Sequence, residues 1–171
     1  WPRPAAPAGL VVVGAPEWSG LPNTGDHHYG YSVCTTWHEY DHAYYLIDVQ
    51  RLRLEFPDLK KAIIAQAGIH LPHAILIEDK GSGTSLIQEI KQEYNLPVIG
   101  VVPESDKIAR ALAQTPKMEA GKVLLPANAP WLSEFQNELS KFPNARHDDQ
   151  VDSMTQALSW MSRPIPRACA W

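Results

Sequence analysis

Apolar positions along the chain change period several times, and the changes divide it into short strands and amphipathic helices. Leu10-Val-Val-Val13 is a β-branched run closed by Gly14 and Pro16. The stretches Tyr31–Trp37 and Tyr44–Val49 favour strand, with a polar turn over Glu39–His42 between them. Their connections are too short for crossover helices, so an antiparallel meander is expected. Helical spacing begins after Phe56-Pro57-Asp58, where proline suits a first turn and Leu59, Ala62 and Ile63 recur at helical spacing. His73–Ile77 is an apolar strand that runs straight into Glu78 and Asp79. A helix over Ser85–Tyr94, a strand over Pro97–Val102, a helix over Asp106–Gln114 and a strand over Lys122–Leu125 then complete a βαβαβ run. Helices over Trp131–Lys141 and Asp149–Met161 close the series. The expected class is α/β: a mixed sheet of antiparallel hairpin strands followed by parallel βαβ units, with helices on both faces. Strand-to-helix loops at the carboxyl ends of such parallel strands are where sites form.

With 171 residues, 44% of them hydrophobic and 20% charged, the chain has the composition of one globular domain and not of a disordered segment. A net charge of −4 excludes a polycationic nucleic-acid coat but leaves room for a local basic groove. No apolar run approaches the roughly 18 residues of a membrane span, so a soluble domain without a membrane partner is expected. Residues 1–9 are rich in proline and alanine, and 163–171 show no period. Both are expected to be tails around a domain over 10–162, and the N-terminus lacks the cationic start and apolar centre of a signal peptide. Cys34 and Cys169 lie far apart without a Cys or His partner at zinc-site spacing, and a reduced pair is expected.

Acidic residues gather at two informative places. Glu78-Asp79 ends the most apolar strand and precedes Lys80-Gly81-Ser82-Gly83. Two readings stand here: a solvated loop, or carboxylates whose desolvation a cation offsets. The second place is His147-Asp148-Asp149-Gln150-Val151-Asp152. Asp148 suits an N-cap, and Asp149 and Asp152 share a helical face beside the stripe Val151, Met154, Leu158 and Met161. Such a pair is either a solvated acidic first turn or a set of ligands for a hard divalent ion such as Mg²⁺ or Mn²⁺. The one HExxH string, His38-Glu39-Tyr40-Asp41-His42, falls on the expected strand end and polar turn and not on a helix, Gly81-Ser82-Gly83-Thr84 lacks the lysine-serine ending of a phosphate loop, and no GxSxG is present. Zinc, ATPase and serine-hydrolase chemistries are therefore not indicated. Lys107 and Arg110, one helical turn apart, together with Lys80, either line a nucleic-acid backbone groove or belong to a charge-balanced surface.

Taken together and in order, six segments resemble the C-terminal nuclease domain of large terminase subunits from tailed phages and prophages. They are Tyr31-Ser-Val-Cys-Thr-Thr-Trp37, Tyr44-Tyr-Leu-Ile-Asp-Val49, Leu76-Ile-Glu-Asp-Lys-Gly-Ser-Gly83, Asp106-Lys-Ile-Ala-Arg110, Glu119-Ala-Gly-Lys-Val-Leu-Leu-Pro126 and His147-Asp-Asp-Gln-Val-Asp-Ser153. The resemblance implies a ribonuclease H-like fold and metal-dependent endonucleolytic cutting of double-stranded DNA during genome packaging. It further implies an upstream ATPase motor in the full-length subunit, portal and small terminase proteins as partners, and the cytoplasm of a bacterial host as location. Carboxylates from three places would hold two Mg²⁺ or Mn²⁺ ions about 3.5–4 Å apart. The second place maps onto Glu78, with Asp79 adjacent, and the third onto Asp149 and Asp152, with Asp148 beside them. Lys107, Arg110 and Lys80 would be DNA contacts.

The first place departs from the pattern. Trp18 and Thr24-Gly25 align, but Ser19 stands where the family has a metal-holding aspartate. A neutral hydroxyl does not replace an anionic bridging ligand. Two expectations follow: a nuclease of doubtful competence, or an impaired ribonuclease H-like module retained to bind DNA or a packaging partner.

Overall fold

The computed structural model describes residues 9–14, 31–102 and 106–163. Apart from Gly9 and Arg163, the expected tails lie outside the described residues, as do Ser19 and Cys169. The strands are β1 (Gly9–Gly14), β2 (Ser32–Tyr40), β3 (Ala43–Leu52), β4 (Ala74–Glu78), β5 (Val98–Val101) and β6 (Val123–Leu124). The helices are α1 (Phe56–His70), α2 (Ser82–Glu93), α3 (Lys107–Glu119), α4 (Leu132–Lys141) and α5 (Asp149–Met161). Every expected element is present. The hairpin strands run longer than the sequence suggested and meet in a two-residue turn, Asp41-His42, with φ of 49° and 59°. Positive φ at both turn residues matches the right-handed twist of the flanking strands.

The sheet order is β5-β4-β1-β2-β3-β6. β1–β2 and β2–β3 are antiparallel, whereas β4 lies parallel to both β1 and β5. Thus the meander and the first βαβ unit are as expected, but β6 is not the next strand of that run. It pairs in parallel with β3 at the far edge, Tyr44 opposite Val123 and Tyr45 opposite Leu124. Its pairing satisfies the outer rim of β3, where the Tyr44 amide donates to the Lys122 carbonyl at 2.7 Å.

Alternation along the strands sends two sets of side chains to two helical layers. Val12, Trp37, Leu46, Ala74 and Leu76 face Phe135 of α4 and Met154, Ala157 and Leu158 of α5. Cys34, Ile75, Ile77 and Val98 face Leu59 and Ile63 of α1 and Leu86, Ile87 and Ile90 of α2. A register shift between Thr36 and Trp37 makes Asp48 and Leu46 their respective partners, leaving Ile47 unpaired and exposed. The extra residue inverts the phase of β3, which puts Val49 on the same face as Leu46.

A buried polar chain fixes α5 on the sheet. Trp37 Nε1 donates to Thr35 Oγ1 at 2.9 Å, and Thr35 Oγ1 shares a 2.7 Å hydrogen bond with Ser153 Oγ. Cys34 is a free thiol on the opposite face. Burial, with the nearby Asp48 carboxylate second, pushes its pKa up to about 12. The thiolate that reacts with disulfide reagents is therefore scarce at neutral pH. In a Cys169→Ser background the folded protein is expected to release no thionitrobenzoate from Ellman's reagent at pH 8, and one equivalent in 6 M guanidinium.

Candidate functional site

Strand alternation separates the two carboxylates that end β4. Glu78 continues the face of Ala74 and Leu76, which looks toward α5, and Gln156 Nε2 donates to Glu78 Oε2 at 3.3 Å. Asp79 lies beyond the strand and is bound on the α2 side. Its amide donates to the Val101 carbonyl at 2.9 Å, and Thr84 Oγ1 donates to its Oδ1 at 2.6 Å. Gly100 admits this arrangement, because a Cβ there would come within 3.2 Å of Asp79 Oδ2. Lys80 is exposed, and its amide donates to the Glu78 carbonyl at 3.0 Å.

Helix α5 supplies the facing carboxylates. Asp149, Asp152 and Gln156 follow the i, i+3, i+7 spacing of one helical face. With a rise of about 1.5 Å per residue, Asp152 lies about 6 Å and Asp149 about 10 Å along the axis from the residue that touches Glu78. The structure therefore brings Glu78 to Gln156, about one turn of α5 from Asp152 and two from Asp149.

Asp148 occupies the N-cap position, yet its side chain makes no capping bond, which corrects the sequence expectation. The reason is Glu138 on α4, only 6% exposed, which takes the orphan donors instead. Glu138 Oε1 accepts from the Gln150 amide at 2.7 Å and the Val151 amide at 3.3 Å, and Oε2 accepts from Gln150 Nε2 at 2.6 Å. Asp148 is left to bind Lys107, whose Nζ lies 2.9 Å from its Oδ1.

Two of the three basic residues expected to touch DNA, Lys107 and Arg110, are engaged with acids in this structure. Lys107 Nζ lies 2.8 Å from Asp152 Oδ2, and Arg110 Nη2 donates to Asp152 Oδ1 at 2.6 Å. Burial works against the Lys107 charge, but the hydrogen bonds it donates to Asp148 and Asp152 outweigh it and hold the ammonium above its ordinary pKa. Asp149 Oδ2 lies 4.0 Å from His147 Nδ1. Burial, then the Glu138 and Asp148 carboxylates, raise its pKa, opposed by His147 and Arg51. A carboxyl with a raised folded-state pKa ionises at the expense of the fold.

Glu138 was not among the residues expected from the sequence, although it shares the inward face of α4 with Phe135 three positions earlier. A second group was also missed. The Tyr31 ring lies under the Arg51 guanidinium at 3.7 Å and the Arg53 guanidinium at 4.4 Å, with His147 edge-on at 5.2 Å. Arg51 also pairs with Glu134 of α4. This assembly ties the end of β3 to the turn before α5.

The donor set fits a hard divalent cation in kind: Glu78, Asp149 and Asp152 supply carboxylate oxygens. Among the described residues, Gln156 Oε1 is buried without a partner in the side chain that touches Glu78, a further oxygen suited to a cation or its water. Among the described residues, however, no three His, Cys, Asp or Glu side chains converge closely enough to hold an ion. The described central strand β1, GLVVVG, contributes no acid.

Residues 22–160 match the profile of the Terminase RNaseH-like domain family. Among solved structures, the large terminase nuclease from thermophilic phage G20c with bound zinc is 19% identical, with a TM-score of 0.64 over 90% of this chain and 82% of that one. The same nuclease has been solved with cobalt and with magnesium. The human cytomegalovirus terminase nuclease domain is 10% identical, with a TM-score of 0.63 over 91% of this chain and 83% of that one. A large terminase from another thermophilic bacteriophage is 13% identical, with a TM-score of 0.63 over 94% of this chain and 41% of that one. At these identities the likeness is one of fold, which is ribonuclease H-like as expected. No curated protein sequence matches the chain.

Proposed function

The chain belongs to the Terminase RNaseH-like domain family, and from that premise we propose that it is the metal-dependent endonuclease domain of a phage-type large terminase, cutting double-stranded DNA during genome packaging. The observation that carries this reading is the contact of Glu78 with Gln156, on the helical face that also bears Asp149 and Asp152. Glu78, Asp149 and Asp152 would hold the divalent ions, with Asp79, which accepts from Thr84, and Asp148, which accepts from Lys107, beside them. Bound Mg²⁺ or Mn²⁺ would activate water and stabilise the leaving oxygen of the phosphodiester. Glu138 fixes the first turn of α5, so that its carboxylates are presented in one orientation. Lys107, Arg110 and Lys80 would meet the DNA backbone, which makes binding steeply salt-dependent. The place of action would be the host cytoplasm, beside portal and small terminase proteins.

A second reading is favoured by the acid-free strand β1 and by the cations that hold both oxygens of Asp152. It is an impaired module of the same fold that binds DNA or a packaging partner without cutting. Nicking of supercoiled plasmid in Mn²⁺ separates the two. The nuclease reading expects nicking that EDTA stops and Glu78→Ala abolishes. Binding without nicking, even after Ser19→Asp, leaves the module.

A further inference from the structure

We propose that Lys107, supported by Arg110, is a positioning residue that keeps Asp152 from divalent ions until DNA phosphate draws the lysine away, so that DNA and metal load together. The inference rests on the nuclease reading, in which Asp152 is a ligand.

Three observations carry it. Both carboxylate oxygens of Asp152 are held, Oδ2 by Lys107 Nζ at 2.8 Å and Oδ1 by Arg110 Nη2 at 2.6 Å. The same ammonium bridges to Asp148 Oδ1 at 2.9 Å, so one lysine ties together two acids at the start of α5. Exposure then divides the roles: the Lys107 side chain is 40% exposed, while those of Arg110 and Asp152 are each 15% exposed. Lys107 is the member of the cluster that an incoming polyanion reaches.

The start of α3 makes this clamp stiff. Asp106 caps the helix by accepting from the Ala109 amide at 2.9 Å, which fixes Lys107 in the first turn and Arg110 one turn later. A divalent ion that takes an oxygen of Asp152 must displace one of these cations or sit within a few ångströms of both, and like charges at that distance repel. A DNA phosphate offers Lys107 an alternative anion. Once the ammonium moves to it, Asp152 has an oxygen to give and the local positive charge is reduced. Coupling of this kind is reciprocal, so metal must strengthen DNA binding by the same factor as DNA strengthens metal binding.

The test measures Mn²⁺ affinity by the loss of the free-ion EPR signal, at fixed low salt and at a temperature where each variant is folded. The wild-type chain is compared with Lys107→Met, Lys107→Gln and Asp152→Asn, each with and without a saturating 20-base-pair duplex. Wild type is expected to bind Mn²⁺ about tenfold tighter when the duplex is present. Lys107→Met is expected to bind it about tenfold tighter than wild type without DNA, and to gain little when DNA is added. A purely structural lysine would not raise metal affinity on removal. Lys107→Gln gives the same reading if the methionine variant does not fold. Unchanged or weaker Mn²⁺ binding in the Lys107 variants overturns the inference while leaving the nuclease reading intact. If Asp152→Asn leaves Mn²⁺ binding untouched, the ligand assignment beneath it falls instead.

Discussion

Ser19→Asp is expected to raise Mn²⁺-dependent plasmid nicking by about a thousandfold over the parent chain, roughly 4 kcal/mol of transition-state stabilisation. Glu78→Ala on that background is expected to return the rate to the EDTA baseline. In the sheet, β1 and β4 are parallel neighbours, with Val13 opposite Ile77, so the carboxyl end of β1 lies beside Glu78. The described strand GLVVVG contributes no carboxylate itself, and the family resemblance assigns the missing one to position 19. A hydroxyl in place of that carboxylate supplies neither the charge nor the bridging geometry that a pair of divalent ions requires. Initial rates of supercoiled-to-open-circle conversion are the measurement. A parent chain that already nicks at the rate of the Ser19→Asp variant would show that the first ligand is not missing. Nicking by Ser19→Asp that survives Glu78→Ala would remove Glu78 from the chemistry.

Glu138→Ala is expected to cost about 3 kcal/mol of stability, read as a lower urea midpoint at unchanged slope. Its carboxylate accepts from two amides of the first turn of α5 and from the Gln150 side chain, and the residue is only 6% exposed. Removing it leaves those donors buried without partners and opens a gap between α4 and α5. Glu138→Gln keeps an oxygen for both amides, and the Gln150 amide can turn to face the new nitrogen. That variant is expected to lose only about 1 kcal/mol. An alanine variant as stable as wild type would mean that water replaces the cap, and that Glu138 does not set the start of α5.

The order of elements was legible because the periodicity of each segment is decided locally. His73–Ile77, the stripe of α5 and the β-branched hairpin strands announce themselves in a few residues. The place of β6 was not legible: two residues carry little pattern, and the pairing depends on which sheet edge the chain reaches after α3. In the site, alternation alone separates Glu78 from Asp79 once the strand is phased. Asp148 misled because N-cap propensity is a local rule. Here a distant carboxylate, Glu138, outcompetes it for the same amides, and Lys107 gives Asp148 another partner. The one advance sign of Glu138 was a charge on the inward stripe of α4, three residues after Phe135. Nor could the sequence disclose that Lys107 and Arg110 bind Asp152, since that pairing requires α3 and α5 to lie side by side.

Whether Glu78 and the first turns of α5 act as one cation-binding group is tested most directly by anomalous scattering from a crystal of the wild-type chain, bound to a DNA duplex and soaked in Mn²⁺. At least one manganese peak is expected in contact with both Glu78 and a carboxylate of α5, Asp149 or Asp152. Manganese bound elsewhere, or touching neither Glu78 nor that helix, would contradict the shared site.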